Sequence, residues 1–242
     1  VQVLHLPEWQ SGADVIASGT SLLAPLPYSH AHLDPTAPMT SRPAQLLFLP
    51  GASGDTGVWQ PVADLLQHPA ARVHVGWPGF GPTPADPSCQ GFGDLVAAVL
   101  GRIDRPTALI AQSMGGAVAL RAALACPDLV THLVLAATSG GLDVAALGAV
   151  DWRAGFLAAN PTLPTWFATH REDLSAQFPT ITAPALLLWG DADPISPVAV
   201  GQRLAALLPH ARLEVVVGGG HDLARVFAAQ VAPWVDAHLS GV

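Results

Sequence analysis

Thr107-Ala108-Leu109-Ile110-Ala111-Gln112-Ser113-Met114-Gly115-Gly116 is the stretch on which the reading of this chain turns. Thr107 to Ala111 is a short apolar run, read as a buried strand. Gly115 to Ala125 is rich in helix formers and reads as a helix. Ser113 stands where one gives way to the other, with a small residue two before and two after it. That is the geometry of a nucleophile elbow. Strand and helix pass so close at such a turn that the neighbours must be nearly free of side chain, and the serine Oγ is left exposed above the carboxyl edge of a sheet. A Ser-x-Gly alone is a common loop, so the flanking sequence must decide.

On both sides of the elbow, strand and helix signals alternate. Leu46 to Leu49 is an apolar strand followed by the turn-rich Pro50-Gly51-Ala52-Ser53-Gly54. Val58 to Gln67 has helical spacing. Val73 to Val75 is the next strand, followed by Trp77-Pro78-Gly79-Phe80-Gly81, and Phe92 to Ile103 is an amphipathic helix. Beyond the elbow helix, strands are expected at Leu133–Ala136, 185–189 and 213–217. Helices are expected at 198–208, with Ser196 as N-cap and Pro197 in the first turn, and at 226–239. Short, continuously apolar strands separated by helices imply an α/β fold: a mostly parallel, twisted sheet with helices on both faces. Ligands in such sheets bind beyond the carboxyl ends of the strands.

Two regions interrupt the alternation. Residues 141–183 are too long for an ordinary loop and carry Trp152, Phe156, Trp166, Phe167 and Phe178; they are expected to form a small helical cap. Residues 1–44 are rich in Ser, Pro, Ala and His, and Val1–Leu6 with Ala13–Ser18 could form a hairpin. The expected organisation is therefore a core of 1–140 and 184–242 with a cap inserted at 141–183.

Composition sets outer limits. Half the 242 residues are hydrophobic and only 12% are charged, which supports one large core and argues against disorder. The formal net charge is -8 and the 10 Lys+Arg are scattered, so nucleic acid is not an expected partner. No apolar run approaches the roughly 20 residues of a membrane span. Val1-Gln2-Val3-Leu4-His5 has no cationic leader pattern, and two cysteines, Cys89 and Cys126, make no disulfide framework. A cytoplasmic chain with free thiols is expected, as monomer or homodimer.

A serine hydroxyl is a weak nucleophile that needs a general base, and the base needs a carboxylate to orient it. Two later loops supply both. Trp189-Gly190-Asp191-Ala192-Asp193-Pro194 follows a strong strand and offers two carboxylates. Gly218-Gly219-Gly220-His221-Asp222 follows the last strand. All three groups therefore fall at carboxyl ends of strands, on one rim of the sheet.

From Leu46 to Leu239 the chain resembles the α/β-hydrolase superfamily in the order Ser…Asp…His. The resemblance implies Ser113 as nucleophile, His221 as base and Asp193 as acid, with Asp191 as runner-up. Leu49-Pro50-Gly51-Ala52 aligns with the family's oxyanion loop, which implies the backbone N–H groups of Ala52 and Met114 as donors. Trp77-Pro78-Gly79-Phe80-Gly81 resembles a structural turn of the family. Three positions depart from the pattern. Ala111 replaces the first Gly of Gly-x-Ser-x-Gly, Gln112 stands where His is common, and Pro50 replaces a His that often braces the oxyanion loop.

The resemblance implies a serine hydrolase, foremost a carboxylesterase acting on a small-molecule ester, with no metal or cofactor. C–C bond hydrolases, lactonases, thioesterases and acyltransferases share the same three residues. A cofactor-free lyase or oxygenase, or a non-catalytic binding protein, could use the same fold. Gln112, Trp152, Phe156, Trp166 and Phe167 are candidates for the substrate pocket, and His170 for its margin. Asp222 is read as an N-cap for the final helix. His30 and His32 form a His-x-His pair with no carboxylate or Cys cluster nearby, so no metal site is expected there.

Overall fold

Among the described residues six strands build one parallel sheet, and its four inner strands are buried on both sides. The computed structural model describes residues 42–241. Its strands are β1 (Gln45–Leu49), β2 (Ala71–His74), β3 (Thr107–Gln112), β4 (Val130–Ala136), β5 (Ala185–Gly190) and β6 (Ala211–Val216). Their order across the sheet is β2-β1-β3-β4-β5-β6, and every neighbouring pair is parallel.

Alternate residues of a strand face opposite sides, and the core divides accordingly. Leu47, Leu49, Leu109, Leu133, Leu135, Leu187 and Trp189 enter one layer. They pack there with α2 (Phe92–Leu100), α3 (Met114–Ala125) and α6 (Val198–Leu207). Leu46, Phe48, Ile110, Val134, Leu186 and Leu188 enter the other, with α1 (Gln60–Leu65), α7 (Leu223–Val226) and α8 (Ala228–Ser240). The edge strands β2 and β6 are less buried and carry Arg72, Arg212 and Glu214, charges that discourage edge-to-edge pairing.

The topology fixes where a ligand can sit. After β1 the chain steps outward to β2, then crosses back over β1 to β3. The loops leaving β1 and β3 therefore diverge, and a crevice opens at the carboxyl ends of these two strands.

Between β4 and β5 the chain holds α4 (Arg153–Ala159), α5 (Trp166–Thr169) and single 3-10 turns at Ala145–Leu147 and Phe178–Thr180. Its apolar residues interlock with one another and with the core. Phe156 meets Trp152 and Phe167 edge-on, with centroids 5.4 and 6.1 Å apart. Phe167 in turn packs on Phe80 at 5.5 Å.

Three local expectations are corrected. Ser196 does not cap α6: Pro197 holds the N-cap position, and the Ser196 hydroxyl is engaged by the Trp189 indole N–H at 3.2 Å. The closing helix α8 starts at Ala228 rather than Val226, because Phe227, with φ of -109° and ψ of 30°, separates it from α7. Asp222 precedes α7 rather than the final helix. It makes no side-chain cap and lies 3.4 Å from Arg225. Cys89 and Cys126 are both free. The hairpin expected near the start of the chain and the His30–His32 pair lie outside the described residues.

Candidate active site

The elbow is a place of backbone strain. Ser113 has φ 53° and ψ -121°, a region that costs a residue with a Cβ about 1–3 kcal/mol. Hydrogen bonds hold it there. Its N–H donates to the Ala136 carbonyl at 2.9 Å, and its carbonyl accepts from the Gly116 N–H at 2.9 Å and from the Thr138 hydroxyl at 2.6 Å. The small neighbours are needed, as expected from the motif. A Cβ on Gly115 would come within 2.5 Å of the Pro50 carbonyl oxygen, because the exit of β1 crosses there. Ala111, in place of the usual glycine, is fully buried between β1 and β4.

Two further strands bring groups to the serine. The loop after β6 presents His221 with Nε2 3.0 Å from Ser113 Oγ and Nδ1 2.8 Å from Asp193 Oδ2. A carboxylate only accepts, so Nδ1 carries the proton and donates it to Asp193. Nε2 is then free to accept from the serine hydroxyl. The loop after β5 presents Asp193 with its side chain fully buried. Its other oxygen, Oδ1, accepts from the N–H groups of Ile195 at 2.8 Å and Ser196 at 3.2 Å. Both carboxylate oxygens are thus hydrogen-bonded, as burial requires of a polar group, and the side chain is held still. Asp191 does something else. It is exposed and accepts from the Gly218 N–H at 2.6 Å, tying the loop of His221 to the end of β5.

The loop after β1 passes directly over the elbow. A Cβ on Gly51 would sit 3.1 Å from Ser113 Cβ and 2.7 Å from the Gln112 side-chain oxygen, so a larger residue would press on both. Among the described residues, neither the Ala52 N–H nor the Met114 N–H has a hydrogen-bond acceptor. The Met114 N–H is one of the free donors of a helix N-terminus. Where the family pattern has a His, this chain braces the loop from below. The buried indoles of Trp59 and Trp77 donate to the Leu49 and Pro50 carbonyls at 3.3 and 3.0 Å.

A cavity of about 580 Å³ opens from Ser113 and His221. Trp152 and Phe167 border it, together with Phe92, Leu142, Val150 and Ile195. Gln112, Phe156 and Trp166 are not on its border. Gln112 turns its amide to the His221 carbonyl, donating at 3.1 Å. Phe156 stands behind Trp152 and Phe167, and Trp166 packs edge-on against Phe80 at 5.7 Å. His170 does reach the border, stacked on Phe92 with centroids 4.2 Å apart. The sequence marks neither Thr138 nor Trp59, and it marks Ser196 as a helix cap and Trp77 as part of a turn; in the structure these four hold the elbow, the Asp193 loop and the β1 exit.

Residues 46–234 match the model of the alpha/beta hydrolase family. The chain belongs to that family. Among its relatives is a pimeloyl-[acyl-carrier protein] methyl ester esterase of Aliivibrio salmonicida. It is 34% identical over 97 residues, which are 40% of this chain and 36% of that one. The match thus spans about a third of that relative's length. An esterase of the same name from Nitrosomonas europaea is 24% identical and aligns over 82% of this chain and 96% of its own. The solved structure of a thermophilic esterase from Thermogutta terrifontis superposes with a TM-score of 0.67 at 19% identity, covering 84% of this chain and 91% of that one. At that identity the likeness is one of fold. Among the described residues, no helix is long and apolar enough to cross a membrane.

Proposed function

We propose that this alpha/beta hydrolase family member is a serine hydrolase that cleaves carboxylic esters of small to medium acyl groups through an acyl-enzyme. One observation carries the proposal: the unbroken path Ser113 Oγ, His221 Nε2, His221 Nδ1, Asp193 Oδ2, with separations of 3.0 and 2.8 Å. Ser113 Oγ attacks the ester carbonyl carbon as its proton passes to Nε2. Asp193 holds the Nδ1–H, fixes the tautomer and stabilises the imidazolium. The N–H groups of Ala52 and Met114 receive the charge that develops on the carbonyl oxygen, and one such donor contributes about 2.7–4 kcal/mol to the transition state. Collapse breaks the bond to the alkoxy oxygen, which leaves as the alcohol with the proton from Nε2. Water, deprotonated by the same nitrogen, then releases the acid and restores the serine.

The names of the relatives support an ester as the bond cleaved. Residues 141–183 serve as the cap. Trp152 and Phe167 give the acyl chain an apolar wall, while charged side chains including Asp143, Arg153 and Arg171 also border the cavity. The purified protein is expected to hydrolyse p-nitrophenyl butyrate and to be labelled at Ser113 by a fluorophosphonate. Ser113→Ala is expected to lose both while keeping its circular dichroism spectrum. A wild-type protein that neither turns over esters nor takes the label sinks the proposal.

A further inference from the structure

Beneath the three functional residues runs a second set of hydrogen bonds, and it closes on itself. Thr138 lies two residues past β4 and is fully buried. Its hydroxyl donates to the Ser113 carbonyl at 2.6 Å and accepts from the Gly140 N–H at 2.9 Å. Its own carbonyl accepts from the Ser196 hydroxyl at 3.4 Å. That hydroxyl accepts in turn from the Trp189 indole at 3.2 Å, and the Ser196 N–H donates to Asp193 Oδ1 at 3.2 Å. Asp193 Oδ2 receives the His221 Nδ1–H, and His221 Nε2 meets Ser113 Oγ. The path leaves Ser113 by its carbonyl and returns by its hydroxyl.

Buried hydroxyls normally find partners, so satisfaction alone would mean little. Here each hydroxyl donates once and accepts once, which leaves neither a free rotor. The partners are also not arbitrary. Three separate chain segments, after β3, after β4 and after β5, are joined by these bonds at the three points that set the serine-to-carboxylate distance. Ser113 needs such a hold because its backbone is strained, and Asp193 needs one because its loop contains no regular structure.

We propose that Thr138 and Ser196 are positioning residues that lock the Ser113 elbow to the Asp193 loop, so that His221 spans a fixed gap. The proposal rests on the hydrolase reading above. Misplacement of a reacting group by about 1 Å can cost about 100-fold in rate; Thr138 acts on that distance from outside the cavity, and Ser196 from its border.

The test compares Thr138→Val, which keeps the shape and removes the hydroxyl, with Thr138→Ser, which keeps the hydroxyl. Ser196→Ala and the Thr138→Val/Ser196→Ala double variant complete the set. Thr138→Val and Ser196→Ala are each expected to lower kcat by about 10- to 100-fold with KM within about twofold of wild type. Thr138→Ser is expected to retain kcat. The double variant is expected to fall little below the worse single one, because opening a ring twice adds little to opening it once. Folding is followed by thermal denaturation, since Thr138→Val also strips the Gly140 N–H of its acceptor.

A readout independent of turnover is the downfield proton of His221 Nδ1–H, assigned by its absence in His221→Gln. It is expected to be sharp in wild type and Thr138→Ser and broadened in Thr138→Val. A folded Thr138→Val with wild-type kcat overturns the proposal, as does a Thr138→Ser as impaired as Thr138→Val. Should the wild-type protein hydrolyse no ester, the hydrolase reading fails on its own, and the resonance then decides: a wild-type signal in folded Thr138→Val overturns the positioning role.

Discussion

At Ser113 a positive φ is maintained by two backbone partners and the Thr138 hydroxyl, and at Asp193 a buried carboxylate is maintained by two N–H groups and an imidazole. Both are local costs accepted where geometry must not drift. Asp193→Asn should therefore be far more damaging than its small size suggests. An amide can present its NH2 to Nδ1, which favours the tautomer with the proton on Nε2 and leaves no base for the serine. The expected loss in kcat/KM is about 10⁴-fold. Asp191→Asn keeps an oxygen acceptor for the Gly218 N–H and is expected to stay within about fivefold of wild type. Steady-state kinetics of both variants on one ester decide, and the opposite ranking would displace Asp193 as the acid. Gly190-Asp191-Ala192-Asp193 places both carboxylates after β5, and spacing alone leaves both open. What separates them is which one the backbone turns inward, through the N–H groups of Ile195 and Ser196, and that depends on the completed loop. The same limit applies to Gln112. Its position beside Ser113 is plain in the sequence, but the acceptor that draws its amide aside is a carbonyl 109 residues later.

At the scale of elements, the exit of β1 depends on indoles supplied by other segments. Trp77 lies in the turn after β2 and Trp59 just ahead of α1, and together they hold the Leu49 and Pro50 carbonyls. Pro50 itself has no N–H and a fixed φ, so the loop is stiff at that residue and braced below it. Trp77→Phe retains an aromatic ring but removes the donor to Pro50. We expect kcat to fall about tenfold with KM little changed, because the Ala52 N–H would shift from the place where charge develops. Melting temperature should fall by a few degrees, since about 1–2 kcal/mol is lost in a domain of this size. An unchanged kcat would show that the indole bond does not set the oxyanion loop. Periodicity and turn residues made β1 to β6 and most of the helices readable from the chain alone. Helix ends were less so. Ser196 has the sequence of an N-cap, but Trp189 claims its hydroxyl, a competition between elements that local spacing does not encode. The break at Phe227 is similarly invisible in an apolar run.

Across the whole molecule the alternation of strand and helix made a parallel sheet with its site at the carboxyl ends readable, while the strand order that puts the crevice at β1 and β3 came only with the structure. The electrostatics of the interior were not readable either. His132 reads as an ordinary histidine on β4, yet it is buried 5.3 Å from the ring of His238 on α8, well below the strand ends that carry Ser113. Burial lowers the pKa of His132 from 6.5 to about 4, with the nearby His68 adding to the effect, and lowers that of His238 to about 3, with His132 adding. His68 is also lowered by burial, against the attraction of Asp236. In the unfolded chain these imidazoles regain an ordinary pKa near 6.5. Between that value and the folded ones, the unfolded chain binds protons that the folded protein excludes. Stability therefore rises with pH across this window and falls as the solution is acidified through it. The urea midpoint is expected to hold steady from about pH 7.5 down to about 6.5, then to drop steadily toward about 4.5. His132→Leu removes one of the protonatable rings, and no bond is lost at Nδ1, which has no partner among the described residues. Its urea midpoint should fall less steeply over the same range, whatever its value at neutral pH. Equal slopes for the two proteins would mean that the buried histidines do not govern the acid limb.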